Sequence, residues 1–354
     1  MVSMDMGTAR AAASDWVRSR GSREPGFRGA YFAGSTVGLP DAAPVPLGSD
    51  IDVMVVTEGP ANEAPGGKLG KFRHQAALIE VTHLPRELLA DPERVLASYH
   101  LAGPFATDTV IADPTGKLAR LREAVAPRFA EPVWVRRRFG EAAGKAERGL
   151  RSLDPAAPWP RLVMSWLFPT GVATHVLLAA GLRNPTVRLR YVAVRELLAA
   201  HGLLDLHEEL LALLGSAALT AERAEEHLHA LAGTFDAAAH VARTPFPYSS
   251  DLTPAARPIA IDASLALIRS GAHREVAFWL AATFARCHTV LDADAPEARR
   301  RASAPAFDAL LADLGVGTRG DLLARADAVL AHLPRVREAA EGILQAAAAE
   351  MSDT

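Results

Sequence analysis

Residues 48–57 read Gly-Ser-Asp-Ile-Asp-Val-Met-Val-Val-Thr, and their second part, 51–57, is the clearest strand pattern in the chain. Asp50 and Asp52 are one residue apart, so on a strand their carboxylates point to the same face. Two such carboxylates side by side in a medium of low dielectric constant repel each other unless a cation lies between them. Paired hard oxygen ligands suit Mg²⁺, which takes its remaining ligands from water and substrate phosphates. The stretch therefore predicts a divalent-cation site.

The segments on either side of this strand add to the same prediction. Residues 27–34 read as a strand that ends at the pair Gly34-Ser35. Such a turn can bring backbone N–H groups close to phosphates. A connector over 38–49 contains three prolines and excludes a long regular helix. Residues 75–83 form a third expected strand, and Glu80 lies among its apolar residues as a third candidate ligand.

Length, charge and cysteine content limit the class of protein. A chain of 354 residues predicts two domains. Residues 1–118 hold 11 Lys and Arg against 14 Asp and Glu, and residues 119–354 hold 27 of each, so a broad nucleic-acid surface is not expected. Cys287 is the single cysteine, which excludes an intramolecular disulfide and a cysteine-based zinc site. The N-terminal residues lack a signal-peptide pattern, and we expect no apolar run to approach the length needed to span a bilayer, so we expect a cytoplasmic protein without a membrane partner.

The order of the remaining patterns predicts an α+β protein, with a small mixed-sheet domain followed by an all-α helical bundle. In the first domain, 1–118, we expect a helix from a Thr8 cap to about Arg20, a polar loop over 58–70, a helix near 85–99 and a strand near 108–112. In the second domain, 119–354, helical periodicity continues with breaks that include 168–171. Seven to nine helices fit between these breaks.

The combination of Gly34-Ser35, a strand-borne Asp50-x-Asp52 and Glu80 on a later strand resembles the DNA-polymerase-β-like nucleotidyltransferase superfamily. It is most similar to the small-molecule branch, the aminoglycoside and related antibiotic nucleotidyltransferases. The motifs cover residues 27–83, and the layout of an α/β domain followed by a helical domain resembles the family over the whole chain. The spacer from Ser35 to Asp50 is somewhat longer than the family pattern.

The resemblance implies a mechanism and a set of site residues. Asp50 and Asp52 would bridge two Mg²⁺ ions, and Glu80 would complete the second ion's ligands and serve as a candidate general base. Gly34 and Ser35 would hold the phosphates of ATP or another nucleoside triphosphate. Family members also reach the triphosphate with a basic residue of the helical domain, which makes Lys145 a candidate.

Several other residues are weaker candidates. Arg188 and Arg190 compete with Lys145 for the triphosphate, and Lys68 and Lys71 lie in the loop that leads to the Glu80 strand. A solvated surface position is the simpler interpretation for the three lysines. The aromatic residues Phe246, Tyr248 and Trp279 are either an acceptor site or helical core.

The expected function is Mg²⁺-dependent transfer of a nucleoside monophosphate, AMP from ATP first, to a hydroxyl of a small molecule. An aminoglycoside-like antibiotic is the first expectation for this acceptor, and a cleft between the two domains is its expected site. Acidic clusters such as Glu208-Glu209 and Glu222, Glu225 and Glu226 could attract its amines. Two alternatives stay open: transfer to a tRNA or a protein hydroxyl, and a nucleotide-binding regulatory module without turnover.

Overall fold

The computed structural model describes residues 4–59 and 68–352, which form two compact units. The sheet unit comprises residues 1–138, and the helical unit comprises residues 139–354. A five-stranded mixed sheet in the first and helices throughout the second confirm the expected α+β class. The units divide after Arg138, later in the chain than the boundary expected after residue 118.

Five strands build the sheet, and a single parallel pair lies at its centre. They are β1 (Phe27–Ala33), β2 (Ile51–Thr57), β3 (Lys68–His74), β4 (Ala77–Pro85) and β5 (Val110–Ala112). Their order is β3-β4-β2-β1-β5, with β2 and β4 parallel and every other neighbouring pair antiparallel. Strand β2 therefore occupies the middle of the sheet, where both of its faces are covered.

The alternation of β2 separates two different faces. Ile51, Val53 and Val55 are buried in a cluster with helix α1 (Met6–Ser19). Met54 and Val56 pack on the opposite face, against a second apolar cluster. Because side chains alternate along a strand, Asp52 points to this second face. That face is thus apolar toward one end of β2 and acidic toward the other.

Short helices after β4 cover the apolar end of the second face. They are α2 (Pro92–Ala97) and α3 (Lys117–Val125), with 3₁₀ turns at 86–89, 103–106 and 126–128. Leu118, Leu121 and Val125 from α3 join the same cluster as Trp134. The apolar side chains after residue 118 therefore belong to the core of the sheet unit, which explains the later boundary.

Several expectations for the sheet unit need correction. Asp5 caps α1, since its Oδ1 accepts the backbone N–H of Thr8 at 2.7 Å, so Thr8 is not the cap. The expected loop over 58–70 lies partly outside the described residues, and its end already belongs to β3. The Glu80 strand begins at residue 77, because Gln75 and Ala76 take positive φ values of 47° and 68° in a hairpin turn. The single helix expected near 85–99 is a 3₁₀ turn followed by the short α2.

Ten helices occur between Pro132 and Ser352. They are α4 (Pro132–Arg151), α5 (Trp159–Ala180), α6 (Arg190–Ala200), α7 (Leu204–Leu214), α8 (Ala221–Val241), α9 (Arg257–Ala260), α10 (Asp262–Arg269), α11 (Ala277–Asp294), α12 (Glu297–Asp313) and α13 (Arg319–Ser352). Helix α5 packs against α6, α11 and α13, and α8 packs against α11. Helices α5 and α11 are apolar on almost every side because they form the centre of this unit.

Helix α5 departs from two expectations. It continues through Pro169, although a break was expected at 168–171. Gly149 of α4 makes room for this proline, because a Cβ at Gly149 would lie 2.6 Å from Pro169 Cγ. At 22 residues, with a window of mean hydropathy 1.5, α5 is also long and apolar enough to cross a membrane, contrary to the sequence-based expectation. Since 72% of that window is buried inside the protein, α5 is typical of the core helix of a soluble protein.

Candidate metal centre

Three carboxylates converge on the acidic end of the second sheet face. In the parallel pairing of β2 with β4, Asp52 lies directly beside Glu80. Asp50 precedes β2 by one residue and points to the same side as Asp52. One ligand oxygen from each of the three side chains lies within 4.8 Å of the others. In the part of the chain that the structure describes, no other group of three His, Cys, Asp or Glu residues is brought together in this way.

The turn after β1 approaches this cluster so closely that it requires glycine. Asp52 pairs with Ala33, so the next residue, Gly34, lies beside the Asp52 side chain. A Cβ placed on Gly34 would lie only 1.7 Å from Asp52 Oδ2. Gly34 also has a φ of +74°, which L side chains rarely adopt. The glycine is therefore needed both for the turn and for the contact with the carboxylate.

Arg10 of helix α1 forms hydrogen bonds with the backbone of the same turn. Nη2 of Arg10 donates to the carbonyl oxygens of Thr36 and Leu39, at 2.8 and 2.9 Å. Its Nη1 contacts Asp41 Oδ1 at 2.5 Å. The Thr36 side chain is buried, whereas Ser35 is exposed at the tip of the turn. The sequence does not single out Arg10, because its partners lie 26 to 31 residues away along the chain and form no motif with it.

Lys71 lies between two of the three acids. Its Nζ is 2.8 Å from Glu80 Oε1 and 3.0 Å from Asp50 Oδ2. The side chains of Lys71, Glu80 and Asp50 are only 10%, 12% and 14% exposed. Cross-strand pairing explains the contact, since Lys71 of β3 lies directly opposite Glu80 of β4. The expectation of a solvated loop lysine is therefore wrong for Lys71.

The surroundings make ionisation of both aspartates unfavourable. Burial raises the pKa of Asp50, an effect that the Lys71 ammonium opposes and the Glu80 carboxylate increases. The pKa of Asp52 lies well above its usual value, first because of burial and then because of repulsion by Asp50 and Glu80. Among the described side chains, the charge of the Lys71 ammonium therefore does not offset the burial and mutual repulsion that raise the pKa of Asp52.

This donor set fits a hard divalent cation. Three carboxylates supply oxygen ligands, which Mg²⁺ and Mn²⁺ prefer. Fully ionised, they carry three negative charges against the one positive charge of Lys71. A divalent cation would balance that excess and would stabilise the ionised form of both aspartates.

Two other residues expected to bind the triphosphate, Lys145 and Arg190, belong to the helical unit. Lys145 is exposed on helix α4 in the helical unit. Arg190 is buried there, with its guanidinium carbon 4.3 Å from the centre of the Phe278 ring and its Nε donating to the Val187 carbonyl at 2.8 Å. These contacts indicate a structural role for Arg190. The side chain of Lys68 lies outside the described part of the chain.

Histidines near the site pair with residues other than the three acids. His74 Nε2 contacts Asp15 Oδ2 at 2.9 Å, and His83 Nε2 contacts Glu24 Oε2 at 2.5 Å. Asp292-x-Asp294 repeats the Asp-x-Asp spacing at the end of helix α11. Asp294 accepts hydrogen bonds from the backbone N–H groups of Arg243 and Thr244. It is therefore a structural residue at the end of a helix.

The aromatic residues considered as an acceptor site surround an ion pair. The guanidinium carbon of Arg286 lies 5.4 Å from the ring centre of Tyr248 and 5.1 Å from that of Trp279. Arg286 also contacts Asp251 at 3.0 Å. Structural packing accounts for these aromatic residues.

Most of the acidic residues considered for binding amines have basic partners. Glu208 contacts Arg274, and Glu209 contacts His332. Glu225 contacts Arg269, and Glu226 contacts Arg223. These contacts favour ordinary charged helix surfaces.

A cavity of about 520 Å³ lies elsewhere in the sheet unit. Apolar side chains such as Leu89, Leu118 and Leu121 line it, together with basic residues that include Arg86 and Lys117. Asp50, Asp52 and Glu80 are not among its lining residues. The carboxylate cluster is therefore distinct from this cavity.

Comparison of the sequence with protein-family models and with curated proteins gives no match. The interpretation of the site consequently depends on its own geometry and on the motifs that build it.

Proposed function

We propose that this chain is a Mg²⁺-dependent nucleotidyltransferase, which moves a nucleoside monophosphate from a triphosphate to a hydroxyl group. One observation carries the proposal. Ligand oxygens of Asp50, Asp52 and Glu80 lie within 4.8 Å of one another, beside a turn in which residue 34 must be glycine. A cluster of acids that repel one another can bind divalent cations, and a neighbouring glycine turn can offer backbone N–H groups to phosphates. Together they suit a metal-chelated triphosphate.

Asp50, Asp52 and Glu80 are the residues that would hold the divalent ions. When bound, two such ions would acidify the acceptor hydroxyl and neutralise charge on the leaving pyrophosphate. Because phosphoryl-group chemistry of this kind depends on position and charge, the rigid central strand β2 is a suitable support for two of the ligands.

The remaining steps fall to other groups of the chain. A Glu80 carboxylate oxygen would accept the proton of the acceptor hydroxyl. The hydroxyl oxygen would then bond to the α-phosphorus as the bond between this phosphorus and the bridging oxygen of the β-phosphate breaks, and pyrophosphate would leave. The backbone N–H groups of the Gly34-Ser35 turn would bind the departing phosphates. Arg10 would keep this turn in place through its bonds to two carbonyl oxygens of the turn. Lys145 stays a candidate for the triphosphate.

For the acceptor, we propose a small molecule, with an aminoglycoside-like antibiotic as the first candidate and ATP as the first candidate donor. The balanced charge of residues 119–354 does not favour a nucleic acid. The presence of all three acids argues against a regulatory module without turnover. A cytoplasmic location is part of the same proposal, because ATP and Mg²⁺ are abundant there.

Pyrophosphate release tests the proposal. The purified chain is incubated with ATP and Mg²⁺ and with separate panels of antibiotics, tRNA and protein acceptors. We expect release with a hydroxyl-bearing small molecule, and none from Asp52→Ala. Glu123→Ala, which removes an exposed carboxylate of α3, is the matched control and should behave as the unaltered chain.

Two results would contradict the proposal. One is undiminished pyrophosphate release by Asp52→Ala. The other is a lack of release with every nucleoside triphosphate and every class of acceptor. Release that depends on tRNA or protein would retain the chemistry and replace the acceptor.

A further inference from the structure

The position of Lys71 has a consequence for how the carboxylate cluster binds its cation. The Lys71 ammonium contacts one oxygen of Glu80 and one of Asp50, at 2.8 and 3.0 Å. Those two residues belong to the set that would ligate the ion. A magnesium ion lies only about 2.1 Å from each of its oxygen ligands. An ion held by the same oxygens would therefore lie very close to Nζ.

Two positive charges so close together in a mostly buried site repel each other strongly. The ammonium and the cation consequently compete for the same carboxylates. Without bound metal, the Lys71 ammonium would stabilise the fold, because it contacts Asp50 and Glu80, two carboxylates that would otherwise repel each other.

We propose that Lys71 is the counter-ion of the empty site: it holds the carboxylates together before the metal arrives, and a divalent cation must expel its ammonium in order to bind. Lys71 is thus a positioning residue that acts through Asp50 and Glu80. The inference rests on the proposed function only in that the three acids bind a cation. It does not depend on which nucleotide or acceptor is used.

The place of Lys71 in the sheet allows such an exchange. Strand β3 is at the edge of the sheet, as the described strands order it, and the Lys71 side chain keeps a 10% exposed fraction. A lysine side chain has four rotatable bonds and can withdraw its ammonium while the backbone stays paired. The charges also fit, because a divalent cation brings one more positive charge to the three acids than the ammonium that it displaces.

The experiment compares Lys71→Met with the unaltered chain in two measurements. The first is the affinity for Mn²⁺ in titrations of the metal-stripped full chain, followed by electron paramagnetic resonance of the free ion. The second is the melting temperature, once with EDTA and once with saturating Mn²⁺. Arg73→Met is the matched control, because it removes one positive charge from an exposed residue of the same strand.

We expect Lys71→Met to bind Mn²⁺ at least about tenfold more tightly, since the ion no longer has to displace a like charge. With EDTA, Lys71→Met should melt at a lower temperature than the unaltered chain, because its carboxylates have lost their counter-ion. Saturating Mn²⁺ should remove most of that difference. Arg73→Met should bind Mn²⁺ as the unaltered chain does.

The proposal is overturned if Lys71→Met binds Mn²⁺ no more tightly than the unaltered chain. An equal loss of melting temperature with and without Mn²⁺ would also overturn it, because that result shows a purely structural lysine. Should Lys71→Met fold poorly, Lys71→Gln gives the same decision, because it also removes the charge. It should bind Mn²⁺ more tightly than the unaltered chain, and unchanged or weaker binding would overturn the competition.

Failure of this inference is distinguishable from failure of the proposed function. If Asp52→Asn loses Mn²⁺ binding while Lys71→Met changes nothing, the metal site stands and the competition does not. If Lys71→Met tightens Mn²⁺ binding but the unaltered chain releases no pyrophosphate, the competition stands and nucleotidyl transfer does not.

Discussion

The sheet unit and the helical unit both bury charged side chains, but they balance them differently. In the helical unit, buried acids have arginine partners, as in Asp251 with Arg286 and Glu275 with Arg195. In the part of the sheet unit that the structure describes, three carboxylates converge, and the ammonium of Lys71 contacts two of them. Paired charges stabilise a fold only weakly but are costly to break, whereas an unbalanced cluster lowers stability unless a ligand completes it. This difference is our reason for assigning the paired charges to the fold and the carboxylate cluster to the proposed metal site.

The largest effect that this comparison predicts follows from removing one charge of the unbalanced cluster. Asp52→Asn should lower nucleotidyl transfer at least about a thousandfold, the scale expected when a group that stabilises transition-state charge is lost. Without bound metal, Asp52→Asn should be at least as stable as the unaltered chain, because the substitution removes a carboxylate that Asp50 and Glu80 repel. Pyrophosphate release and urea denaturation measure the two effects. A variant that is inactive only because it is unfolded would contradict the assignment.

Substitution of the turn glycine should have the next largest effect. In Gly34→Ala the new methyl group would overlap Asp52 Oδ2, and the positive φ adds backbone strain. We expect activity to fall at least about a hundredfold, because displaced ligands lose their position. Gly38→Ala is the matched control: it has a φ of +92° but no atom within 4 Å of the added Cβ. Equal activities of the two variants would show that the Asp52 contact is unimportant.

Breaking a charge pair of the helical unit should lower the free energy of unfolding and leave Mn²⁺ binding unchanged. Asp251 and Arg286 are 11% and 12% exposed, so Asp251→Asn leaves a mostly buried guanidinium without its ionised partner. The free energy of unfolding should fall by about 3 kcal/mol. Asp236→Asn, which breaks the much more exposed pair with Arg257, should cost less than about 1 kcal/mol. Mn²⁺ titrations should be unchanged in both, and weaker Mn²⁺ binding in Asp251→Asn would contradict the comparison.

Acidification should affect the two units in opposite directions. Burial lowers the pKa of His288 from 6.5 to about 4, so its stabilising effect is complete above pH 6.5 and is lost as the pH falls toward 4. At pH 5 this loss amounts to about 2 kcal/mol. The pKa values of Asp50 and Asp52 are raised by burial, so these side chains take up protons more readily in the folded chain than in the unfolded chain. Without bound metal, the contribution of these two aspartates to the stability of the sheet unit should therefore increase as the pH falls through their folded pKa values.

Melting curves at pH 7.5 and 5 separate these effects when they are compared with His288→Phe. The substituted ring would lie between Phe284 and Phe307, whose ring centres are 6.3 and 4.8 Å from that of His288. The variant should lose less stability on acidification than the unaltered chain. An unchanged pH dependence would assign the effect to other groups.

Much of the site follows from the sequence, because its ligands lie on short local patterns. The limits of β2 and the positions of Asp50 and Asp52 come from one alternating stretch of residues. Glu80 is conspicuous as an acid within an apolar strand. Strand alternation predicts that Asp50 and Asp52 share one face, and the resemblance to the nucleotidyltransferases adds Glu80 to the same expected site.

The contact of Lys71 could not be predicted in the same way. Strand β3 reads Lys-Leu-Gly-Lys-Phe-Arg-His, in which glycine and basic residues hide the strand pattern. Its hairpin turn uses Gln75 and Ala76 at positive φ, where glycine or asparagine is the usual signal. Without that strand, no register places Lys71 opposite Glu80. The continuation of α5 through Pro169 likewise depends on a tertiary contact, with Gly149 of α4. The cap at Asp5 is instead a local contact with the backbone N–H of Thr8.

Anomalous diffraction from crystals that contain Mn²⁺ and a non-hydrolysable ATP analogue tests the central claim most directly. We predict manganese peaks bounded by the oxygens of Asp50, Asp52 and Glu80, with the triphosphate on the side of the Gly34 turn and the Lys71 ammonium withdrawn from the carboxylates. Crystals that bind the nucleotide but show no manganese at these oxygens, with Lys71 still between Asp50 and Glu80, would contradict it.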